Sequence, residues 1–372
     1  MKNKFSNISA SLLTYFVMMI SFVLIRIAFL YIKLPFSSTV NDLITTIVVQ
    51  GLFMFFLAVF MFSQLKKQPI KKTFNDFGYN KLSFTPILIS VLIGILCYFF
   101  NIFVASFFNT IIGLFGYEQM PSFATSVSTQ DYSIFSFIIQ VVSVAIIPAI
   151  CEETAHRGLL LNGLKGSGIV NAILLSSLLF GLMHLNINQF FYATILGFII
   201  AMSAVISKSI IPAIIIHFMN NFISTYMSFA SHNGWFLGDF TTQLTKFMYS
   251  SGNALFYFII LALTLTVIIL LIVVLFYFLL KHTRIKQVKK TLQDVAVINK
   301  DVITSGGSNQ MVNMYQINQL MMQYNIKSLG SMIFTDIESK GRKFDMAEKL
   351  MLIATIVVGS LVTISTFIWG II

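Results

Sequence analysis

The ionisable side chains that could do chemistry are concentrated in a few long apolar runs of the sequence. Of the 13 acidic residues, only Glu152 and Glu153 lie in or at the end of such a run, and three of the five histidines, His156, His184 and His217, lie in the same region. An ionisable group at membrane depth costs about 2.5–3.5 kcal/mol on insertion scales, so such groups usually line a cavity and serve a function. These five residues are therefore the first candidates for an active site.

The first group is the segment EETAHR, which runs from Glu152 to Arg157. On a helix Glu153 and Arg157 are four residues apart, with the acid before the base, as ion pairing prefers. The side chain of Glu152 points about 100° away from that of Glu153. One carboxylate is thus braced and the other is free to act on water. A charged helix end at a membrane interface would have the same composition, so this group alone leaves both interpretations open.

Two further groups repeat the spacing of four residues, FxxxH with Phe180 and His184 and HxxxN with His217 and Asn221. Residues four apart share one face of a helix, so each histidine is paired with a neighbour on its own face. A lone histidine in an apolar helix is more often a packed residue than a functional one. Three such groups in this order are a much stronger indication of a site than any one of them.

Together the motifs EExxxR, FxxxH and HxxxN resemble those of the CPBP family. This family comprises the type II CAAX prenyl endopeptidases and bacterial relatives that are often described as abortive-infection or bacteriocin-processing proteins. The resemblance covers roughly residues 84–230 and implies peptide-bond hydrolysis within the membrane. His156 stands where family members more often carry an apolar or aromatic residue. The catalytic residues implied by the resemblance are Glu152, Glu153, Arg157, His184, His217 and Asn221.

The side-chain chemistry agrees with this implication. A carboxylate in apolar surroundings is suited to act as a general base on a water molecule. We assign this role to Glu152, with His184 helping to hold the water. His217 and Asn221 would donate hydrogen bonds to the developing oxyanion, and the adjacent acid–arginine pair would brace the site.

Zinc is the alternative to be weighed, because members of this family are frequently described as metalloproteases. Glu152, His184 and His217 could supply three ligands, which is the number that a catalytic zinc ion normally has. The sequence contains no HExxH motif, and using Glu152 and His184 as ligands would leave the water without an independent base. We therefore expect no metal cofactor, with zinc on these three residues as the alternative.

The elements that position these residues must be membrane-spanning helices. The chain has 372 residues, of which 57% are hydrophobic and 10% are charged, whereas about 25% of the residues in a soluble domain are charged. Apolar runs of about 20 residues, long enough for a hydrocarbon core of about 30 Å, recur along the chain. This excludes a soluble globular protein or a disordered chain. We predict an all-α, polytopic transmembrane helical bundle of about nine spans at 11–32, 43–63, 86–108, 133–157, 170–187, 190–207, 210–229, 254–280 and 351–371.

The apolar runs divide the chain into five parts. We predict an N-terminal transmembrane hairpin with a basic cytoplasmic loop at 1–83 and a protease-like transmembrane domain at 84–230. An outer loop and the eighth span follow at 231–280, a small cytoplasmic segment at 281–350 and a C-terminal span at 351–372. The cytoplasmic segment opens with KHTRIKQVKK and contains a helix-like stretch at 311–326. It is a candidate binding site for a protein partner.

The basic residues indicate the orientation of the chain in the membrane. With the N-terminus in the cytoplasm, 21 of the 24 Lys and Arg residues fall in cytoplasmic loops, two fall outside and Arg26 lies within a span. This distribution fits the positive-inside rule. The net charge of +11 thus reflects membrane topology, and we expect no nucleic-acid partner. The sequence predicts a multi-pass protein of the cell membrane with a cytoplasmic N-terminus.

Two other classes of function use the same residues. A catalytically silent membrane scaffold or bacteriocin-immunity protein would act by binding a partner, although a scaffold has no need of buried Glu and His. An ion or solute transporter would use the buried groups as a relay, but the sequence has no internal repeat of the kind that transporters often show. For the protease, we expect membrane-associated peptides or proteins as substrates.

Overall fold

The computed structural model describes residues 5–32, 35–117, 131–249, 254–304 and 341–369, and all regular secondary structure in these residues is helical. The predicted all-α, polytopic helical bundle is thereby confirmed. The helices are α1 (Asn7–Tyr31), α2 (Ser38–Lys66), α3 (Ile70–Asp76), α4 (Phe84–Gly113), α5 (Ile134–Ser167), α6 (Ile169–Met183), α7 (Ile187–Ser207), α8 (Ile211–Asn233), α9 (Phe240–Tyr249), α10 (Ala254–Thr304) and α11 (Met346–Trp369).

Seven of the described helices, and not nine, are long and apolar enough to cross a membrane, namely α1, α2, α4, α5, α7, α10 and α11. The predicted span 170–187 corresponds to α6, whose 15 residues extend about 22 Å and fall short of a hydrocarbon core of about 30 Å. The predicted span 210–229 corresponds to α8, which is long enough but carries His217, Asn220 and Asn221 within its apolar sequence. The predicted count of nine was wrong because it accepted every apolar run as a span, whereas α6 is too short and α8 too polar to count as a spanning helix by length and composition.

Hydrogen bonds tie distant parts of the chain together at one end of the bundle, which we call the basic end. They join Lys66 to the carbonyl of Phe5, Asn80 to the carbonyl of Lys208 and the backbone N–H of Arg342 to the carbonyl of Gly166. At the opposite end, the amide of Asn233 donates to the carbonyl of Tyr132 at 3.1 Å. Helices α6 and α8 therefore run from the basic end toward the opposite end, antiparallel to α5 and α7.

Helix α11 returns to the start of α1 through a buried carboxylate. Glu348 accepts hydrogen bonds from the hydroxyls of Ser9 at 2.6 Å and Ser6 at 3.1 Å, and it forms an ion pair with Arg342. The Glu348 side chain is fully buried, whereas that of Arg342 is partly exposed. The starts of α1 and α11 are thus fixed to each other at the basic end.

The helix boundaries differ from those predicted in the C-terminal third of the chain. The predicted span 254–280 continues to Thr304 as α10, a helix of 51 residues that is about 76 Å long. The predicted outer loop contains the additional helix α9. The helix-like stretch predicted at 311–326 lies outside the described residues.

Gly94 allows α4 to approach α8, the helix that carries His217. A Cβ atom on Gly94 would lie 2.6 Å from Met219 Cβ and 3.2 Å from the backbone oxygen of Ile216. Real Cβ atoms essentially never come as close as 2.6 Å to another heavy atom. The missing side chain therefore sets the distance between these two helices.

We expect Gly94→Ala to push α8 away and to destabilise the protein by about 1–3 kcal/mol, the usual cost of overpacking. Thermal unfolding of the purified protein in detergent measures this effect. Gly113→Ala on the same helix is the matched control, because a Cβ at Gly113 would meet no atom within 4 Å. Equal unfolding temperatures for the two variants would contradict the packing described.

Candidate active site

A fully buried ion pair on α5 forms the base of the site. Arg157 Nη1 donates to Glu153 Oε1 at 2.9 Å, and neither side chain is exposed. Arg157 Nη2 donates to the carbonyl of Gly197 on α7 at 2.8 Å. The predicted pairing of Glu153 with Arg157 is present in the structure, and it also links α5 to α7.

His217 on α8 joins the same carboxylate. Its Nδ1 lies 2.8 Å from Glu153 Oε1, which therefore receives hydrogen bonds from both Arg157 and His217. The other ring nitrogen, Nε2, lies 4.0 Å from Glu152 Oε2. Glu153 thus fixes the orientation of the imidazole ring, which presents its free nitrogen to the second carboxylate.

Glu152 points away from the ion pair, as the helical spacing predicts, and meets an amide from α2. Gln50 Nε2 donates to Glu152 Oε1 at 2.8 Å, and Glu152 is 9% exposed. Gln50 was not predicted as a site residue, because it is an uncharged amide and only ionisable groups stand out in an apolar run. The signal was a single amide within the run IVVQGLFMFF.

The ring of Phe180 on α6 lies between the three predicted motifs. It makes edge-to-face contacts with His184 and His217, with centroid distances of 5.2 and 5.6 Å. The guanidinium carbon of Arg157 lies over the same ring at 4.5 Å from its centroid. Phe180 is 1% exposed, so it fixes the spacing of these polar groups without competing for their hydrogen bonds.

His184 follows the last residue of α6, and its ring interacts electrostatically with Glu152 and His217. The structure therefore places His184 in the neighbourhood of Glu152 and His217. Its link to them is less direct than that of His217, which shares a carboxylate with Arg157. A water molecule or a substrate group beside Glu152 would face His184 from the side of α6.

Asn221 is held by a chain of amides at the edge of the site. Its Nδ2 donates to the carbonyl of Val144 on α5 at 3.0 Å. Its Oδ1 accepts from Asn220, which in turn accepts from Asn101 on α4 at 2.7 Å. Because an amide nitrogen carries two hydrogens, Asn221 keeps one N–H for a ligand. Asn220 and Asn101 were not predicted.

His156 has a structural role. Its Nδ1 donates to the carbonyl of Glu152 at 2.8 Å, and its Nε2 lies 2.9 Å from the hydroxyl of Tyr15 on α1. Both ring nitrogens are thus occupied. The ring packs edge-to-face on Phe180 at 4.9 Å, so His156 attaches α1 to the site.

Arg26, the one basic residue predicted to lie within a span, also belongs to this region. Its guanidinium carbon lies 5.5 Å from the centroid of the Phe22 ring on α1. Its charge interacts with those of Glu152 and His184. Together with Gln50, it shows that the N-terminal hairpin of α1 and α2 faces the site.

Three π-helical segments each contribute one residue that contacts the site. Gln50 lies in the segment Ile47–Phe56 of α2, Val144 lies in Val141–Ile146 of α5, and Arg157 lies in Thr154–Leu161 of α5. Isolated π-helical turns occur frequently at functional sites. The wider turn changes the direction of the following side chains, which a count of 3.6 residues per turn does not predict.

A tyrosine outside the spans supports the start of the last π-helical segment. Burial raises the pKa of Tyr79 to about 12, so its hydroxyl stays protonated at physiological pH. The hydroxyl lies next to Thr154 Oγ1, which itself donates to the carbonyl of Ile150 at 2.6 Å. Tyr79 is therefore the donor in this pair and attaches the loop after α3 to α5.

A cleft of about 510 Å³ lies along the second half of α8, toward the opposite end of the bundle. It is lined by Tyr98, Tyr132, Ser224, Met227, Ser228, Ser231 and His232. Ser224 lies one helical turn beyond Asn221, so the cleft adjoins the site on the side of that amide. Its hydroxyl groups offer a polar path at this end of the bundle.

The residues present do not form a ready zinc site. In the part of the chain that the structure describes, no three His, Cys, Asp or Glu side chains are grouped so that they could hold a metal ion. The predicted set of Glu152, His184 and His217 is therefore not assembled as three ligands.

Comparison with known proteins agrees with the motifs. Residues 134–223 match the family model described as type II CAAX prenyl endopeptidase Rce1-like. This segment of the chain is therefore similar to the protease family that the model describes. The matched segment runs from the start of α5 into α8 and includes all six predicted catalytic residues, whereas Gln50 and Tyr15 lie outside it. No curated protein and no solved structure matches the chain.

The match confirms the family resemblance stated from the three motifs. An intramembrane protease family and seven apolar helices together identify a multi-pass membrane protein. At the level of the family, the match also supports peptidase activity.

The chain offers a direct comparison between a buried and an exposed ion pair of the same spacing. We expect Arg157→Leu to destabilise the protein by about 3–5 kcal/mol, because it leaves the buried Glu153 charge without its partner. Lys72→Leu breaks the exposed pair with Asp76, whose N–O distance is 3.1 Å, and should cost less than about 1 kcal/mol. Thermal unfolding of both variants measures the difference, and similar values would show that Arg157 is not the counterion of a charged Glu153.

Proposed function

We propose that this protein is an intramembrane endopeptidase that hydrolyses peptide bonds of membrane-associated peptides or proteins with a water molecule activated by Glu152. One observation carries the proposal. Glu152 Oε2 and His217 Nε2 lie 4.0 Å apart in a buried site. The remaining oxygen of Glu152, Oε1, accepts a hydrogen bond from Gln50, and the remaining ring nitrogen of His217, Nδ1, is bound to Glu153. A base and a hydrogen-bond donor thus face one reacting carbonyl group.

The reaction begins at Glu152 Oε2. This oxygen takes a proton from a water molecule that His184 helps to hold, and the water oxygen attacks the carbonyl carbon of the scissile peptide bond. The electron pair of the C=O bond moves to its oxygen and gives a tetrahedral oxyanion. When the C–N bond breaks, the electron pair returns to the carbonyl and the leaving nitrogen takes the proton from Glu152. One water molecule is consumed, and an acid and an amine are released.

The oxyanion is stabilised by His217 and Asn221. Asn221 contributes its second N–H, and His217 donates from Nε2 when both ring nitrogens carry a proton. Its Nδ1 proton is held by Glu153. With both protons the imidazole is positive, and together with Arg157 it balances the two carboxylates of Glu152 and Glu153. Fixed donors of this kind are often the largest single contribution to acyl-transfer catalysis.

We further propose that hydrolysis needs no metal ion, with zinc on Glu152, His184 and His217 as the alternative. The sequence has no HExxH motif, and using Glu152 and His184 as zinc ligands would leave the water without an independent base. The substrate would be a small membrane-associated peptide or a membrane protein, reached from the bilayer or along the cleft beside Asn221. The protein would lie in the cell membrane with its N-terminus in the cytoplasm, in agreement with the basic residues gathered at the basic end.

We expect Glu152→Gln to lower the cleavage rate by at least about 100-fold, the lower end of what general acid–base catalysis contributes. The assay uses the purified protein in lipid vesicles with two fluorogenic probes, a single-span peptide and a prenylated peptide. Asp76→Asn, an exposed acidic residue on α3, is the control and should cleave at the wild-type rate. Undiminished cleavage by Glu152→Gln would contradict the role of Glu152.

Treatment with a chelator separates the two mechanisms. We expect the wild-type rate to be unchanged after incubation with 1,10-phenanthroline. Loss of cleavage that is restored by zinc would instead identify Glu152, His184 and His217 as metal ligands. If the wild type cleaves neither probe and cells that carry Glu152→Gln keep the wild-type phenotype, the scaffold function replaces the protease.

A further inference from the structure

Gln50 is a polar residue of the site that the family match does not include. It lies on α2, far before the matched residues 134–223, in the π-helical segment Ile47–Phe56. Its Nε2 holds Glu152 Oε1 at 2.8 Å. Its own carbonyl oxygen, Oε1, is buried and has no hydrogen-bond partner among the described residues.

An unpaired buried oxygen is unfavourable, because the acceptor loses its water on folding and gains nothing in return. The position of this oxygen is fixed. The amide of Gln50 is planar, and its nitrogen is bound to the carboxylate that would activate water. The unpaired oxygen therefore belongs to the same amide group as the nitrogen that binds Glu152, and it lacks a hydrogen-bond donor unless one arrives with the substrate.

A peptide backbone is the donor that fits this position. A primary amide presents one donor edge and one acceptor edge, and Gln50 uses its donor edge on Glu152. A peptide whose carbonyl oxygen faces His217 and Asn221 carries backbone N–H groups on either side of the scissile bond. One of these N–H groups can reach an acceptor that lies next to Glu152.

We propose that Gln50 forms a substrate-binding subsite, in which its Oε1 accepts a backbone N–H of the bound peptide near the scissile bond while its Nε2 positions Glu152. This inference rests on the proposed function. It assigns to the N-terminal hairpin, outside the protease-like domain, one wall of the substrate site.

The subsite also defines the form of the substrate. In a helical peptide, the backbone N–H groups are already bonded to carbonyl groups four residues earlier. The N–H that binds Gln50 must therefore come from a segment that is extended or locally unwound at the cleavage point. The subsite binds the peptide backbone and not a side chain. Peptides with different side chains therefore bind, whereas a peptide with a residue that lacks the backbone N–H at this position does not.

Cross-linking tests the subsite without relying on hydrolysis. A benzophenone amino acid replaces Gln50 in one protein and Leu52 in another, and each is illuminated in lipid vesicles with a biotinylated form of the single-span peptide. Leu52 is the matched control because it lies in the same segment with 49% of its surface exposed. We expect at least about five times more cross-linked peptide from position 50, suppressed by excess unlabelled peptide. Equal or greater cross-linking from position 52, or none from position 50, would overturn the proposal.

Peptide kinetics identify the hydrogen bond itself. Gln50→Leu should lower kcat/KM by about tenfold with a rise in KM, while Leu52→Ala stays near the wild type. In a series of probes methylated at single backbone nitrogens, one methyl group should lower kcat/KM of the wild type but have no further effect on Gln50→Leu. If the effects of the methyl group and of Gln50→Leu on kcat/KM add at every methylated position, Oε1 binds water instead of the peptide. If the proposed protease function is wrong, the wild type will be inactive in this assay. The cross-linking experiment still tests the subsite in that case, because it measures peptide binding and not hydrolysis.

Gln50→Asn keeps the amide but shortens it and serves as a second variant. If Gln50→Leu lowers the unfolding temperature, Gln50→Asn separates folding from binding, because it retains a polar group at the position. We expect it to fold as the wild type does and to share the loss in kcat/KM. Wild-type kinetics in Gln50→Asn would overturn the subsite.

Discussion

The site depends on one buried carboxylate oxygen that two helices share. Glu153 Oε1 accepts hydrogen bonds from Arg157 on its own helix and from His217 on α8. Arg157 also donates a hydrogen bond to a backbone carbonyl of α7. Three helices thus meet at one charge that is completely removed from water. An uncompensated charge in this position would be very costly, so the helices hold the arrangement in which all three groups are paired. The orientation of His217 toward Glu152 is a consequence of this pairing.

The rest of the molecule surrounds this centre without competing with it. Phe180 separates Arg157 from the histidines by an apolar ring, and Gly94 lets α8 lie close enough to α4 for its polar residues to reach the site. The N-terminal hairpin closes the remaining side with Gln50 and Tyr15, each of which binds a residue of the EETAHR segment. Residues outside the matched segment 134–223 therefore complete a site whose predicted catalytic residues lie within that segment.

Much of the site could be predicted from the sequence because several of its contacts join residues that are close together in the chain. Glu153 and Arg157 pair across one helical turn, and ionisable groups in apolar runs are rare enough to draw attention without further information. What could not be predicted depends on how the helices pack. The approach of Gln50 to Glu152 joins residues 102 positions apart, and the π-helical turns alter directions that a regular helix would have given. The number of spans was overestimated for a similar reason, since α6 reaches the site as a short helix with its end at His184.

The central claim is that the two adjacent carboxylates have different functions, one as the base and the other as the support of the site. Measuring both the cleavage rate and the unfolding temperature of Glu152→Gln and Glu153→Gln tests this claim most directly. We expect Glu152→Gln to lose cleavage at nearly unchanged stability, because its partner Gln50 remains able to bind an amide. We expect Glu153→Gln to lose both cleavage and stability, because Arg157 is left without a counterion. A stable Glu153→Gln protein, or an active Glu152→Gln enzyme, would contradict this claim.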